Sequence, residues 1–228
     1  MNNRIDFDKI PEEYRKNYIG SGDNGNCYLI SNNEVFKTFF YPEIFEKRVI
    51  ELTKMNNPYF IFPKKIVYVK NKFVGYIMDY VDGVTLDKMK NIDIFKYIED
   101  IKNIEYYIAV LSRRGYFLMD FKNANIMIDK NNNIKIIDTD YFLKTDNTDK
   151  LYNTNIHDFA FAILRPFVNI YRDSFKSREL EYKRRLLIDG KYLPSKFLID
   201  ILKEYRLILL NEVNNTSDMK ESMRLLLK

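Results

Sequence analysis

The sequence predicts an α+β protein whose first third is mainly a small antiparallel sheet and whose remainder is mainly helical. Between Asn17 and Val81, apolar residues alternate in short runs broken by Gly, Asn and Pro. Beyond "DGVTLDKM", starting at Asp82, they recur at spacings of three and four instead. A period of two marks strands and a period near 3.6 marks helices, so the change of period is a change of architecture. The boundary falls near Val81–Thr85, giving a first lobe over about 1–81 and a second over about 82–228 of one domain.

"YIGSGDNGNCYLI" reads as a strand, a glycine turn and a second strand, and "SNN" at 31–33 as a hairpin turn into the strand "EVFKTFF". Pro42 suits the first turn of a helix, "PEIFEKRVIELTKM", with Phe45, Val49, Leu52 and Met55 on one face. "NNP" at 56–58 stops it. The strands "KKIVYVK" and "KFVGYIMDYV" follow, joined at "NK". Ile94, Ile98, Ile101, Ile104, Ile108 and Leu111 then define a long amphipathic helix closed by Gly115. "NIMID" and "NIKIID" are short strand-like pieces around "KNNN". "DFAFAILRPFVNIY" is apolar on nearly every face, the pattern of a buried helix. "PSKFLIDILKEYRLILLNEV" is the best helical segment of the remainder, and "NNTSD" its clearest break.

Composition removes several classes of function. With 46% hydrophobic residues, the chain has enough apolar side chains to fold. One cysteine, Cys27, excludes an internal disulfide framework and a cysteine-built zinc site. One histidine, His157, excludes multi-histidine metal sites and weighs against a Ser-His-Asp triad. The net charge of +5 is spread along the chain rather than gathered in a stripe, so no nucleic-acid partner is expected. No apolar leader and no run long enough to span a bilayer is visible, and a cytoplasmic setting is the expectation.

Three groups of residues carry chemistry. Gly20, Gly22 and Gly25 form G-x-G-x-x-G followed by a further strand-like run rather than a helix, which fits a flap over phosphates as well as a plain turn. Lys37 shares a strand face with Val35; it can snorkel to water, or be held over phosphate oxygens by a carboxylate from the next helix, Glu43, Glu46 or Glu51. Asp120 and Asn125 are spaced D-x-x-x-x-N with Lys122 between them, and Asp138 and Asp140 follow the run "IKII". A carboxylate, an amide and a second carboxylate supply oxygen ligands for hard cations, which in turn bridge phosphates.

In this order the parts resemble the protein kinase-like superfamily, from Ile19 to about Phe167. "IGSGDNGNC" resembles its glycine-rich loop, "VFK" its lysine strand, "YIMDYVDGVTL" its hinge, "MDFKNANIM" its "RDLKPENIL", "IIDTDYF" its "IxDFG", and "HDFAFAIL" its buried helix with a leading aspartate. The resemblance implies a bilobal protein kinase-like fold with a reduced, mainly α-helical C-lobe, and an ATP- and Mg-dependent phosphotransferase. It implies that Lys37 contacts the α- and β-phosphates and pairs with Glu46, that Asp120 is the catalytic base, and that Lys122 helps hold the γ-phosphate. Asn125 and Asp138 would bind magnesium, with Asp140 a further ligand nearby. Gly20, Gly22 and Gly25 would cover the nucleotide, and Cys27, Val35 and Met127 would sandwich the adenine. Met78 would be the gatekeeper, Asp79 and Val81 would offer hinge backbone groups, and Asp158 would brace the catalytic loop.

The chain also departs from that family. "LMD", with Leu118 and Met119, stands for "HRD", and "DTD" for "DFG". Without the arginine, a phosphorylated activation loop has lost its usual partner. Asp138 to Asp158 is short, and no "APE" is recognisable. A serine/threonine-type protein kinase is the leading expectation, with a protein acceptor. A small-molecule kinase of the aminoglycoside or choline type is the alternative, and a nucleotide-binding pseudokinase the third.

Overall fold

The computed structural model describes residues 3–89, 92–209, 220, 223–224 and 226–227. It is a mixed α+β protein that divides into two compact units, Met1–Asp82 with Lys135–Phe142, and Gly83–Ile134 with Leu143–Lys228.

The first unit holds strand β1 (Arg4–Phe7), the short helix α1 (Glu13–Lys16), strands β2 (Tyr18–Gly22), β3 (Gly25–Ser31) and β4 (Glu34–Phe39), helix α2 (Glu46–Leu52), and strands β5 (Lys65–Val69) and β6 (Lys72–Asp79). They form one sheet in the order β1-β5-β6-β4-β3-β2, antiparallel except where β1 runs parallel to β5. The sequence reading began its strands at Asn17 and missed β1, whose pairing with a distant strand leaves no local signal. The β5–β6 turn is Lys70–Asn71 rather than "NK". Both residues have positive φ, 49° and 61°, as a two-residue hairpin twisted to match its strands requires.

Alternation gives the sheet two unlike faces. Phe36, Val67 and Ile77 bury one face with Ile10, and Tyr14 of α1 adds an aromatic edge against Phe36. The other face carries Val35, Lys37 and Phe39 of β4, with Tyr76 and Met78 opposite on β6 and Cys27 opposite Lys37 on β3. Helix α2 lies toward the Phe39 end, where Phe39 and Phe45 stack at 4.3 Å. Its buried residues are Val49 and Leu52, and its N-cap Phe45 is buried beside them, as the apolar spacing requires. The helix is shorter than "PEIFEKRVIELTKM", because Pro42–Ile44 forms a separate 3-10 turn and Met55 falls beyond its end.

The second unit contains strand β7 (Gly83–Thr85), helix α3 (Ile94–Arg113), and strands β8 (Tyr116–Phe117) and β9 (Ile126–Asp129). Strand β10 (Ile134–Ile136) leaves this unit for the first, and the chain returns with β11 (Leu143–Lys144) and helices α4 (Leu151–Leu164), α5 (Arg178–Ile188) and α6 (Pro194–Leu209). Asp93 caps α3 by accepting from the N–H groups of Phe95 and Lys96 at 2.9 and 3.1 Å. Its isoleucine stripe is buried, and Gly115 closes it at φ 80°. Helix α4 stops before Pro166. The residues of the expected "NNTSD" break, and 210–213 of the last helical segment, lie outside the described residues.

Residues 135–142 are a correction to the expected lobe boundaries, since the second lobe was read as continuous from 82. Ile136 forms a parallel bridge with Phe60, donating from its N–H to the Tyr59 carbonyl at 2.7 Å and accepting from Ile61 N–H at 2.9 Å. Phe142 then packs edge-on against Phe60 and Phe62. These contacts tie the segment carrying Asp138 and Asp140 into the first unit.

Candidate functional site

The expected site residues fall into two clusters, one in each unit. In the first, Lys37 is 5% exposed on the middle of β4. Its Nζ donates to Asp138 Oδ1 at 2.9 Å and to Asp140 Oδ1 at 3.1 Å. Asp140 Oδ2 is also 3.1 Å from the ammonium, but is buried outside hydrogen-bonding geometry. Burial by itself would pull the lysine pKa down. The carboxylates of Asp140 and Asp138 override it and raise the value, so the ammonium stays charged. At Asp140 burial dominates instead and pushes the carboxyl up against the pull of Lys37. The Tyr76 phenol is pushed well up, by burial first and then by the same two carboxylates.

The two aspartates are held differently. Asp138 sits in the left-handed region at φ 57°, ψ 37°, with its side chain 28% exposed. Asp140 lies in the 3-10 turn Thr139–Tyr141 and is completely buried. Thr139 Oγ1 donates to the Ile61 carbonyl at 2.8 Å, and Arg48 Nη1 donates to the Asp140 carbonyl at 3.2 Å.

Glu46 is not the partner of Lys37. It accepts from the Tyr68 hydroxyl at 2.9 Å, at the start of α2, where a carboxylate also complements the N-terminal end of a helix. Two of the ammonium's three N–H groups go to the aspartates, and the expected strand–helix ion pair does not form.

The glycines separate. A Cβ on Gly25 would lie 1.7 Å from the Thr38 carbonyl oxygen, so this glycine is demanded by close approach of β3 and β4. Gly20 and Gly22 have nothing within 4 Å of that position. Packing does not explain them, and the open space is what backbone approach to a ligand needs. Cys27, Val35 and Met78 share the Lys37 face, and burial pushes the Cys27 thiol up to about 11, which keeps it an unreactive apolar group. Asp79 ends β6 and pairs with Lys64, the Tyr80 N–H donates to the Asn33 carbonyl at 2.8 Å, and Val81 is buried.

In the second unit, Asp120 follows β8 at φ 67°. Lys122 Nζ lies 2.9 Å from Asp120 Oδ2. Asn125, 5% exposed in the 3-10 turn Asn123–Asn125, donates from Nδ2 to both the backbone carbonyl and Oδ2 of Asp120, at 3.0 and 2.9 Å. With Nδ2 committed, the amide oxygen is the atom left to face a ligand. Met127 is on β9, opposite Thr85. Among the described non-glycine residues with positive φ, Lys70, Asn71 and Asn132 are hairpin-turn positions and Lys150 caps a helix, whereas Asp120 and Asp138 are the two acids marked for chemistry. Held strain at such positions is characteristic of sites that fix a side chain for a task.

The loop leading to Asp120 is braced by Asn155 rather than by the expected Asp158. Fully buried on α4, Asn155 accepts from the Leu118 N–H at 2.9 Å and donates to Ser112 Oγ and the Tyr116 carbonyl at 2.8 and 2.9 Å. Asp158 lies one turn on, 3.9 Å from His157, and its carboxyl is raised by burial. Phe121 packs on Phe159 with ring centroids 5.5 Å apart, fixing the loop from its other side. His157 bridges the Ile188 carbonyl and the Tyr171 hydroxyl, both at 2.5 Å, a structural role.

The sequence reading missed Tyr76, Arg48, Asn155 and Gly75, where a Cβ would meet the Lys37 carbonyl oxygen at 2.0 Å. Only strand register and helix packing reveal them.

Each cluster has one hard oxygen donor of the kind magnesium takes: in the first unit the partly exposed carboxylate of Asp138, and in the second the amide oxygen of Asn125. Among the described residues, no group of three or more His, Cys, Asp or Glu side chains forms a ready metal cage. No helix among the described residues is long and apolar enough to cross a membrane. Compared with known proteins, the chain matches no family model, and no curated protein matches it.

Proposed function

We propose that the protein is an ATP- and Mg-dependent phosphotransferase with a bilobal, protein kinase-like fold, transferring the γ-phosphate of ATP to a hydroxyl. The observation that carries this reading is the buried Lys37–Asp138 pair at 2.9 Å, on a sheet face that also presents Cys27, Val35 and Met78. A charged lysine held under an apolar strip is arranged to meet both the phosphates and the base of a nucleotide. In the second unit, Asp120 is oriented by Asn125 and accompanied by Lys122, a carboxylate able to accept a hydroxyl proton beside a cation able to steady phosphate.

In this reading Gly20 and Gly22 give the β2–β3 hairpin room for phosphate, while Gly25 fastens it to β4. Lys37 orients the α- and β-phosphates. Asp138 of the first unit and Asn125 of the second would each offer magnesium an oxygen ligand, and the ion would supply charge neutralisation on the phosphates. Asp120 orients the acceptor hydroxyl and takes its proton. Lys122 steadies the departing γ-phosphoryl group.

A protein hydroxyl is the acceptor favoured, because Lys122 stands where serine/threonine-type kinases place their lysine. The second reading, a small-molecule acceptor, is favoured by one observation. The chain from Asp140 to α4 is short, and part of it, Leu143–Lys144, is already paired with Tyr116–Phe117. Little remains to dock a peptide.

The experiment is transfer of labelled phosphate from Mg-ATP to the protein itself, to a protein panel and to small alcohols and sugars, with Asp120→Ala and Asp138→Ala alongside. Transfer by the wild type and loss in both variants is expected. A wild type no better than the variants on every acceptor would overturn the reading, and transfer confined to small molecules would move it to the second acceptor class.

A further inference from the structure

Asp140 is the one acid of the Lys37 cluster that solvent does not reach. Both of its oxygens lie 3.1 Å from Lys37 Nζ. Its backbone is fixed from two sides, by Arg48 on its own carbonyl and by Thr139 on the Ile61 carbonyl. Flanking aromatic residues complete the clamp: Tyr141 meets Phe45 edge-on at 6.0 Å, and Phe142 is wedged against Phe60 and Phe62. Asp138 differs at every point. It has a part-exposed carboxylate on a left-handed residue, able to turn toward a cation. Glu46 is engaged by Tyr68.

We propose that Asp140 is the positioning residue for Lys37, taking the place of a helix carboxylate, so that the lysine is set by the sheet unit's own 139–142 turn. The inference rests on the functional reading above for what Lys37 does, but not for how Lys37 is held. With Asp138 given over to a metal ion, Lys37 would keep a counter-charge in Asp140 and would stay on the sheet face. Helix α2 then does not set the lysine through Glu46, whose carboxylate is engaged by Tyr68. The same geometry takes Asp140 out of the expected metal set, since its oxygens are closed to solvent and face an ammonium.

The test compares Asp140→Asn with Glu46→Gln by two readouts. The first is the rate at which a small amine-reactive acylating reagent modifies Lys37, mapped by mass spectrometry relative to exposed Lys72. Asp140→Asn is expected to speed modification of Lys37 roughly tenfold, because the lysine loses its buried anchor, and Glu46→Gln to leave it within about twofold of wild type. The second is steady-state kinetics, where Asp140→Asn is expected to lower kcat/KM for ATP by about tenfold or more. Equal protection of Lys37 in wild type and Asp140→Asn, or release of Lys37 by Glu46→Gln, would overturn the proposal. If Asp140→Asn does not fold, the Glu46→Gln arm decides alone: continued protection supports the proposal and release overturns it. Lys37 released in Asp140→Asn with no phosphate transfer by any form, wild type included, would keep the proposal and reject the phosphotransferase reading.

Discussion

The Lys37 cluster and the Asp120 cluster are built from the same chemistry to opposite specifications. In the first, a lysine is buried between two acids on a sheet, and their carboxylates raise its pKa against the pull of burial. In the second, lysine and acid meet at nearly the same distance, 2.9 Å, but on a loop, with Lys122 exposed and Asp120 held by one amide and its own strained backbone. Buried ion pairs are costly to break, whereas exposed ones contribute little to stability. The first cluster should therefore betray itself in folding, and the second in turnover.

Four substitutions break or sharpen that contrast. Asp120→Ala should lower phosphate transfer by about 10²–10⁴-fold, the usual worth of a positioned general base, while the melting temperature moves by no more than about 2 °C. Transfer kinetics and a thermal melt of the same preparation check it. Asp140→Ala should destabilise the fold by about 3 kcal/mol, because it strips Lys37 of its enclosed counter-charge. Urea unfolding measures that loss, and a change below about 1 kcal/mol would erase the distinction between the clusters. Asn155→Ala should cost about 1–3 kcal/mol by leaving the Leu118 N–H buried without a partner, and should slow transfer with it because that N–H belongs to the Asp120 loop. Hydrogen exchange at Leu118 reports the loop directly.

The smallest effect belongs to a pair outside both clusters. Arg184 holds the Glu181 carboxyl down to about 2. A lowered folded-state pKa means the stability contribution is present above the ordinary value near 4.5 and is lost as pH falls toward 2. Glu181→Gln should flatten the fall in melting temperature across that window, by an amount worth about 0.5–1 kcal/mol. A melt series in pH checks it, and gives the scale against which the Asp140 effect is judged.

How much of this was legible in the sequence varies by residue. The sheet, α3 with its isoleucine stripe, and the change of period near Asp82 follow from local pattern. Lys37 stood out because it shares a strand face with apolar Val35, and Asp120, Asn125 and Asp138 because acids and an amide cluster at turns and strand ends. Glu46 did not become the lysine's partner, since pairing depends on how far α2 extends and on Tyr68, neither written in the spacing of glutamates. Asp140 appeared as an extra metal ligand because burial cannot be read from "DTD". Asn155 lay hidden in an apolar helix, where an asparagine looks incidental until the helix is placed against β8. Segment 135–142 was assigned to the wrong unit because its bridge to Phe60 joins residues far apart in sequence.

The contrast between the clusters comes to a point in magnesium dependence. Calorimetric titration with ATP, in the presence and absence of Mg²⁺, should be carried out on wild type, Asp138→Ala and Asp120→Ala. Magnesium should tighten wild-type binding by about tenfold or more, Asp120→Ala should keep that gain, and Asp138→Ala should lose it. Failure of the wild type to bind ATP, or an equal loss of the magnesium gain in both variants, would contradict the division of labour proposed between Asp138 and Asp120.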